Sequence, residues 1–193
     1  MKIRMTSIKK ISRALIIGFS MVLIAGWTTP VLSESIPSKG SVFPDSELIS
    51  PAVEKDRKYL GIGDLDTFLI EQVDGQLLFI EVVGVYCPVC HSQFPRNKKL
   101  YSMIRKDAKL NASVKMFAVA AGATQMEAAF LSKQAGIPYP VIQDPKFEIH
   151  KALGEPKTPF TMLVRKDGYV EYAHFGAFED IPAFFNEIKK MVR

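Results

Sequence analysis

Two cysteines are the residues of this chain with the clearest capacity for chemistry. They stand in the segment Cys87-Pro88-Val89-Cys90, and the sequence contains no other cysteine. Two thiols separated by two residues can close to a disulfide or open to a dithiol, and so can exchange electrons with other thiols. The spacing therefore predicts a redox-active pair in which one sulfur attacks and the other resolves.

The segments on either side of the pair predict how it is positioned. Leu77–Val83 is almost entirely apolar, which is typical of a central strand covered on both faces. The residues after the pair predict a helix that reaches about Leu110. Cys87 then takes the N-cap and Pro88 the first helical position, where free N–H groups and the helix dipole favour a thiolate. We predict that Cys87 is the nucleophile and that Cys90, one turn deeper, resolves the mixed disulfide.

Two other uses of a cysteine pair compete with this interpretation. An exported protein can carry a structural disulfide, but a bridge that closes so short a loop constrains the unfolded chain little. A zinc site needs two or more further ligands, and the sequence has no second C-x-x-C or C-x-x-H to supply them. We expect no metal at this pair.

The rest of the chain alternates predicted strands and helices. A turn at Asp74-Gly75 separates the first two strands, and a Thr124 cap with Glu127 three residues later begins a helix that Gly136 ends. The predicted strands are 67–73, 77–83, 114–120, 140–142, 160–165 and 169–175, and the predicted later helices are 124–134, 145–153 and 181–192. This order predicts one α/β domain with a central mixed sheet and helices on both faces.

The N-terminus has the pattern of an export signal. Residues 1–33 carry five basic side chains and no acidic one, and the apolar stretch 14–26 is shorter than the roughly 20 residues that a membrane-spanning helix needs. We predict cleavage near Ser33 and a periplasmic or other extracytoplasmic location, with an uncleaved anchor as the alternative. Residues 34–58, which are rich in Ser and Pro at their start, are interpreted as a flexible lead, and 59–193 as the folded domain.

The charge of the chain is concentrated in this signal. The 193 residues carry a formal net charge of +5, but 34–193 contain 20 basic and 20 acidic side chains. A balanced domain has no electrostatic footprint for nucleic acid, so we expect no nucleic-acid partner. Contact with a membrane is expected only if the signal remains uncleaved.

Several residues together resemble a known family. Tyr86 stands before the first cysteine, Pro95 follows the second by five residues, and Thr158-Pro159 precedes a predicted strand. In this order they resemble the thioredoxin-like proteins, and among them the exported TlpA/ResA-type thiol-disulfide oxidoreductases. The resemblance implies a three-layer sandwich over roughly residues 60–193, a cis peptide bond before Pro159, and a helix kinked at Pro95.

The resemblance also implies an activity and a substrate site. We expect dithiol–disulfide exchange with protein substrates, an electron donor or acceptor that is itself a thiol, and no bound cofactor. The expected substrate-binding residues are Tyr86, Pro88, Val89, Thr158 and Pro159, with the backbone of Thr158 offering hydrogen bonds to a substrate strand.

Glu81 lies six residues before Cys87 in an otherwise apolar strand, where thioredoxin-like proteins often carry a buried acid. Burial raises the pKa of a carboxyl group, so Glu81 is predicted to accept or relay the proton of Cys90. The alternative is a glutamate at the strand end that faces solvent. Val89 cannot hydrogen-bond a thiolate as histidine does in strongly oxidising relatives, which favours a reductant or isomerase over a primary oxidant.

Two other functions stay open at this point. The segment 137–144 is similar to a stretch of the peroxiredoxins, although those enzymes carry Thr-x-x-Cys and this chain has Gly84 at that position. A non-enzymatic metallochaperone could hold Cu(I) between the two cysteines and His150 or His174. The eight methionines form no cluster that would support copper binding.

Overall fold

The computed structural model describes residues 35–192. Its helices are Glu54–Leu60 (α1), Pro88–Lys106 (α2), Ala108–Ser113 (α3), Gln125–Ala135 (α4), Glu148–Ala152 (α5) and Ile181–Met191 (α6). Its strands are Leu48–Ile49 (β1), Thr67–Phe68 (β2), Leu77–Val83 (β3), Val114–Ala121 (β4), Val141–Asp144 (β5), Phe160–Arg165 (β6) and Val170–Phe175 (β7).

The main sheet has five strands in the order β5-β4-β3-β6-β7. Strand β3 runs parallel to β4, which runs parallel to β5, whereas β6 is antiparallel to both β3 and β7. All seven residues of β3 are buried because this strand lies at the centre of the sheet and is covered on both faces. The predicted mixed sheet is therefore confirmed, and β1 and β2 form a separate antiparallel pair.

Helices cover both faces of the sheet, as a three-layer sandwich requires. Successive residues of β3 point to opposite faces, so Phe79 packs in a core with α2, α4 and α6, and Ile80 packs in a second core with residues of α1 and α5. The structure confirms the predicted thioredoxin-like α/β sandwich. Among residues 35–192, no helix combines the length and the apolar character needed to cross a bilayer.

Three predicted elements differ from the observed ones. The strand predicted over 67–73 stops at Phe68 and gives way to a 3-10 turn at Ile70–Gln72. The helix predicted to reach Leu110 ends at Lys106, because the side chain of Asp107 accepts a hydrogen bond from the Leu110 N–H and begins α3. Helix α5 is shorter than the predicted 145–153.

The segment assigned to a flexible lead contributes to the core. Phe43 and Leu48 are buried at 4% and 0% exposure, and the segment Gly40–Phe43 bonds to the backbone of β7 at Val170. We therefore place the start of the packed structure at or before Gly40, earlier than residue 59. The predicted signal over 1–33 lies outside the described residues.

Candidate active site

The cysteine pair lies where the central strand meets the longest helix. Cys87 is the N-cap of α2, Pro88 stands in the first turn, and Cys87 Sγ accepts a hydrogen bond from the Cys90 N–H at 3.2 Å. The two cysteines form a disulfide, with their Cα atoms 5.2 Å apart. The free N–H groups of the first helical turn and the helix dipole therefore act on Cys87 Sγ, as the sequence predicted.

The two sulfurs differ in accessibility. Cys87 is half-buried at the surface, whereas Cys90 is fully buried at 0% exposure within the core beneath α2. An external thiolate can therefore reach Cys87 but is screened from Cys90. This asymmetry fits an attacking and a resolving cysteine.

Residues distant in the sequence complete the surface around Cys87. The peptide bond between Thr158 and Pro159 is cis, and Thr158 O lies 3.6 Å from Cys87 Sγ. Tyr86 and Val89 are 82% and 48% exposed beside the pair. Exposed Pro88 and half-buried Thr158 complete this surface, whereas Pro159 itself is buried beneath it.

Gly84 leaves little room for a side chain next to the nucleophile. A Cβ at this position would lie 3.3 Å from Cys87 Cβ and 3.5 Å from Thr158 Oγ1. The first distance is tighter than most contacts of real Cβ atoms, so a larger residue here would force its neighbours to move. The glycine therefore permits the close approach of Thr158 to Cys87.

Glu81 is buried beneath the same helix. Its exposure is 0%, and its Oε2 accepts a hydrogen bond from Asn97 Nδ2 at 2.8 Å. Burial raises the pKa of Glu81 to about 8, against the opposing effect of the Asn97 hydrogen bond. The solvent-facing alternative for this residue is therefore wrong, and its carboxyl group is mainly protonated at neutral pH.

Two amide side chains that were not predicted from the sequence, Gln93 and Asn97, hold Glu81 in place. Gln93 Nε2 donates to Asn97 Oδ1 at 2.9 Å, and the Phe178 N–H donates to Gln93 Oε1 at 2.9 Å. Cys90, Gln93 and Asn97 occupy positions i, i+3 and i+7 of α2, which share one face of a helix. Two amides at that spacing on the buried face were the signal that could have identified them.

The histidines do not join the cysteines. His91 Nε2 lies 2.8 Å from Val85 O and its ring packs against Phe94, so it is half-buried and not at the open surface. His150 Nε2 lies 3.0 Å from Pro156 O, and the His174 ring stacks on Phe178. In the part of the chain that the structure describes, no group of three or more His, Cys, Asp or Glu side chains could hold a metal.

Comparison with known proteins places this arrangement in a family. The sequence profile of the Redoxin family matches residues 39–188, which is most of the chain. The chain belongs to the Redoxin family. It is 23% identical over 111 residues to the thiol-disulfide oxidoreductase ResA of Halalkalibacterium halodurans, an alignment that covers 58% of this chain and 60% of ResA. The chain thus spans about 60% of the length of that curated relative.

Solved structures share the fold of this Redoxin chain. The thioredoxin domain of a thiol-disulfide oxidoreductase from Bacteroides vulgatus superposes with a TM-score of 0.59 at 14% identity, covering 81% of this chain and 99% of that one. AhpC of Mycobacterium tuberculosis superposes with a TM-score of 0.57 at 14% identity, covering 81% of this chain and 98% of that one. At these identities the superpositions show a shared fold and do not assign a reaction.

Proposed function

We propose that this chain is an exported thiol–disulfide oxidoreductase that exchanges a dithiol for a disulfide with protein substrates. The observation that carries the proposal is the asymmetric pair: a surface Cys87 at a helix N-terminus, bonded to a fully buried Cys90. The likeness to ResA supports the same reaction class. No cofactor is needed, because the pair itself stores the two electrons.

The reaction proceeds in two displacements. In the reduced protein the Cys87 thiolate attacks a substrate disulfide, one S–S bond forms as another breaks, and a substrate thiolate leaves. The Cys90 thiolate then attacks Cys87 Sγ and releases the second substrate thiolate. Cys87 and Cys90 end as a disulfide, and the substrate has gained two electrons. The reverse sequence, begun by an external thiolate at Cys87, reduces the pair.

Glu81 supplies and accepts the proton of the buried sulfur. With a pKa of about 8 it is protonated in the oxidised protein at neutral pH, so it can give a proton to Cys90 as that sulfur leaves. In the opposite direction its carboxylate takes the proton of the Cys90 thiol. Glu81 Oε2 is hydrogen-bonded to Asn97 and not to Cys90, so we infer that buried water carries this proton between the sulfur and the carboxyl group.

The substrate binds over the surface formed by Tyr86, Pro88, Val89 and Thr158, and the buried Pro159 acts by shaping the backbone beneath this surface. The exposed aromatic and aliphatic side chains supply apolar contacts, and the half-buried Thr158 offers backbone groups beside the sulfur under attack. A substrate segment in extended conformation can hydrogen-bond to such a backbone while its sulfur approaches Cys87.

The direction of exchange is proposed to be reductive. A dithiol enzyme is a strong oxidant when its reduced form, with a Cys thiolate, is stabilised. The Val89 side chain offers no hydrogen bond to a Cys87 thiolate, so this stabilisation is missing here. The export signal proposed for residues 1–33 places this reductant outside the cytoplasm, where a thiol partner must supply its electrons. The reduction potential of the Cys87–Cys90 pair tests this direction. We expect about −270 mV, and a value of about −120 mV would show an oxidant.

Peroxide reduction is the second candidate, because AhpC shares the fold. The crowding at Gly84 disfavours it, since the threonine of a Thr-x-x-Cys peroxidase would press on Cys87 and Thr158. Rapid-mixing kinetics separate the two. We expect the reduced protein to consume hydrogen peroxide no faster than free cysteine does, and a much faster reaction would favour the peroxidase.

The direct test of the proposed function is reduction of insulin disulfides by dithiothreitol with the full chain as catalyst. The wild type is expected to accelerate the reaction well above dithiothreitol alone, and Cys87→Ser to abolish that acceleration. Ser92→Ala, on the exposed side of α2, is the matched control and should keep the full rate. A wild type with no acceleration would remove the proposal.

A further inference from the structure

A row of polar side chains crosses the sheet beside Glu81. Glu81 of β3 stands directly opposite Thr161 of β6, and Thr161 stands opposite His174 of β7. Residues directly opposite in an antiparallel ladder share a face, with Cβ atoms about 5 Å apart. Phe79 and Val83, which flank Glu81 on that face, pack in the core with α2 and α6. The row therefore runs beneath these helices from the centre of the sheet to its edge.

Each member of the row presents a polar atom that the protein leaves without a partner. Within residues 35–192, Glu81 Oε1, Thr161 Oγ1 and His174 Nε2 are buried and make no hydrogen bond to protein. Buried polar atoms are almost always hydrogen-bonded, and ordered water is the partner where protein groups are missing. The three atoms belong to residues at neighbouring positions of the ladder, and we take buried water to be their missing partner.

The outer end of the row reaches solvent. β7 is an edge strand of the sheet, and half-buried His174 lines an open pocket of about 460 Å³ whose wall also includes Tyr172, Glu179, Asp180 and Glu187. Its ring stacks on Phe178 with the centroids 4.9 Å apart. His174 thus has one buried ring nitrogen, Nε2, and borders the solvent through the pocket.

The proposed exchange reaction requires such a route. Glu81 must lose and regain a proton in each cycle although its side chain is fully buried. Its Oε2 is bonded to Asn97, which leads to Gln93 and then to the backbone N–H of Phe178. Amide groups do not pass protons along in the way that water, hydroxyl and imidazole groups do. Oε1, the oxygen that is not bonded to Asn97, is therefore the one that can exchange a proton with solvent.

We propose that Thr161 and His174 are positioning residues that, with buried water, form the path by which Glu81 exchanges its proton with solvent. This inference rests on the proposed function, since only disulfide exchange asks Glu81 to change its protonation. The path moves protons and no electrons.

The proton transfers balance over one reduction of the pair. The Glu81 O–H bond breaks as the Cys90 S–H bond forms through water. The His174 Nε2–H bond then breaks, the proton passes through water and the Thr161 hydroxyl to Glu81 Oε1, and His174 gains a proton on Nδ1 from the pocket. The return reaction runs through the same atoms in reverse.

Few titratable groups of the described residues face Glu81 or His174, the two ends of the proposed proton path. Glu81 is faced by Asn97 and the Cys90 side of α2 and by Tyr139, which precedes β5. Burial raises the pKa of Tyr139, so it stays protonated. His174 is faced by Tyr172 on its own strand, and by Glu179, Asp180 and Glu187 around the pocket. Their negative potential concentrates protonated donors at the outer end of the path.

The test compares two substitutions of the histidine in the full chain. His174→Ala and His174→Phe should each lower the insulin-reduction rate about tenfold around neutral pH, the loss expected of a missing proton carrier. Free imidazole should restore His174→Ala, because the removed ring leaves space for it, but not His174→Phe, whose ring fills that space. Tyr172→Phe, in the same pocket, is the matched control and should keep the wild-type rate and pH profile.

Thr161 gives a second, independent comparison if the histidine variants fail to fold. Thr161→Ser keeps the hydroxyl and should keep the rate, whereas Thr161→Val keeps the shape and should lose it. Wild-type rates and pH profiles in both His174→Phe and Thr161→Val would overturn the path, and so would a slow His174→Ala that imidazole does not restore.

A measurement on the resting oxidised protein separates this inference from the proposed function. The infrared C=O band of the protonated Glu81, identified by its loss in Glu81→Gln, shifts when the carboxyl proton exchanges with D₂O. We expect the exchange to be slower in His174→Phe than in the wild type whether or not the protein reduces insulin. Equal exchange rates would contradict the path even if the enzyme is active.

Discussion

The two faces of strand β3 contain different kinds of side chain. On the face towards α1 and α5, Leu78, Ile80 and Val82 pack in an apolar core with residues of the adjoining strands and of these helices. On the face towards α2, Glu81 interrupts the apolar row and meets the buried amide of Asn97. One strand thus stabilises the fold with one face and supports the cysteine chemistry with the other.

The buried acids on the two faces show the same division. Asp144, on the α5 side, accepts hydrogen bonds from the Ile149 and His150 N–H groups and so begins α5. Both of its carboxylate oxygens are used in holding structure. Glu81 keeps one oxygen without a protein partner among the described residues, and that is the oxygen available for proton transfer. Of the two buried acids, Glu81, on the face towards α2, is therefore the one with incomplete hydrogen bonding.

The largest expected effect is a fall in the free energy of unfolding as the buried Glu81 ionises with rising pH. Its pKa is raised in the folded protein from an ordinary value of 4.5 to about 8, so the folded state binds more protons than the unfolded state between these values. The free energy of unfolding should therefore fall by about 1.4 kcal/mol per pH unit across that interval. Urea unfolding of the oxidised protein at a series of pH values measures this fall.

Glu81→Gln is the control for that titration, since it keeps the side chain's shape and removes its charge. We expect the slope assigned to Glu81 to disappear in this variant, with little change in the remaining pH dependence. An equal slope in both proteins would show that Glu81 is not the titrating group.

The next largest effect falls on the apolar face. Ile80→Ala removes a fully buried side chain and should lower the free energy of unfolding by about 3 kcal/mol through lost burial and a cavity. Insulin reduction per folded molecule should stay near the wild-type rate, because the substitution does not touch the α2 face. A large loss of specific activity would break the proposed separation of the two faces.

Asn97→Ala tests the hydrogen bonds that hold Glu81 on the face of β3 towards α2. It leaves Gln93 and Glu81 without their buried partner and should cost about 2 kcal/mol of unfolding free energy. Because the Asn97 hydrogen bond lowers the pKa of Glu81, the midpoint of the pH–rate profile for exchange should move upward. Asn111→Ala, at a half-buried site outside this network, should leave the midpoint in place.

The smallest effect is expected at the exposed substrate surface. Tyr86→Ala should raise KM for a protein disulfide about threefold and leave the free energy of unfolding unchanged, because the ring is 82% exposed. Tyr86→Phe should behave as the wild type. A change in the potential of the cysteine pair, without a change in KM, would contradict a role in substrate contact.

Most of the fold was predictable because its signals are local. The run Leu77–Val83 has the apolar character of a central strand, and Thr124, Glu127 and Gly136 specify the ends of α4 through capping alone. The break after Lys106 was missed although its cap is local, because Asp107 lies within a run whose pattern predicts one continuous helix. Only the hydrogen bond that the Asp107 side chain accepts from the Leu110 N–H shows that α3 begins there.

The candidate site divides in the same manner. The cysteine pair, its place at the start of α2 and the buried Glu81 follow from spacing within one strand and one helix. Thr161 and His174 could not be predicted from spacing. They lie beside Glu81 only because of the register of β6 and β7, which sequence spacing does not determine. Long-range register is therefore the information that the structure adds.

The central claim is that an exposed Cys87 attacks while a buried Cys90 resolves, and trapping with single-cysteine variants tests it most directly. Cys90→Ser and Cys87→Ser, each reduced, are mixed with a peptide disulfide, and the adducts are located by mass spectrometry. We predict a rapid, stable mixed disulfide on Cys87 in Cys90→Ser and a far slower adduct on Cys90 in Cys87→Ser. Equal rates, or a faster adduct on Cys90, would contradict the account.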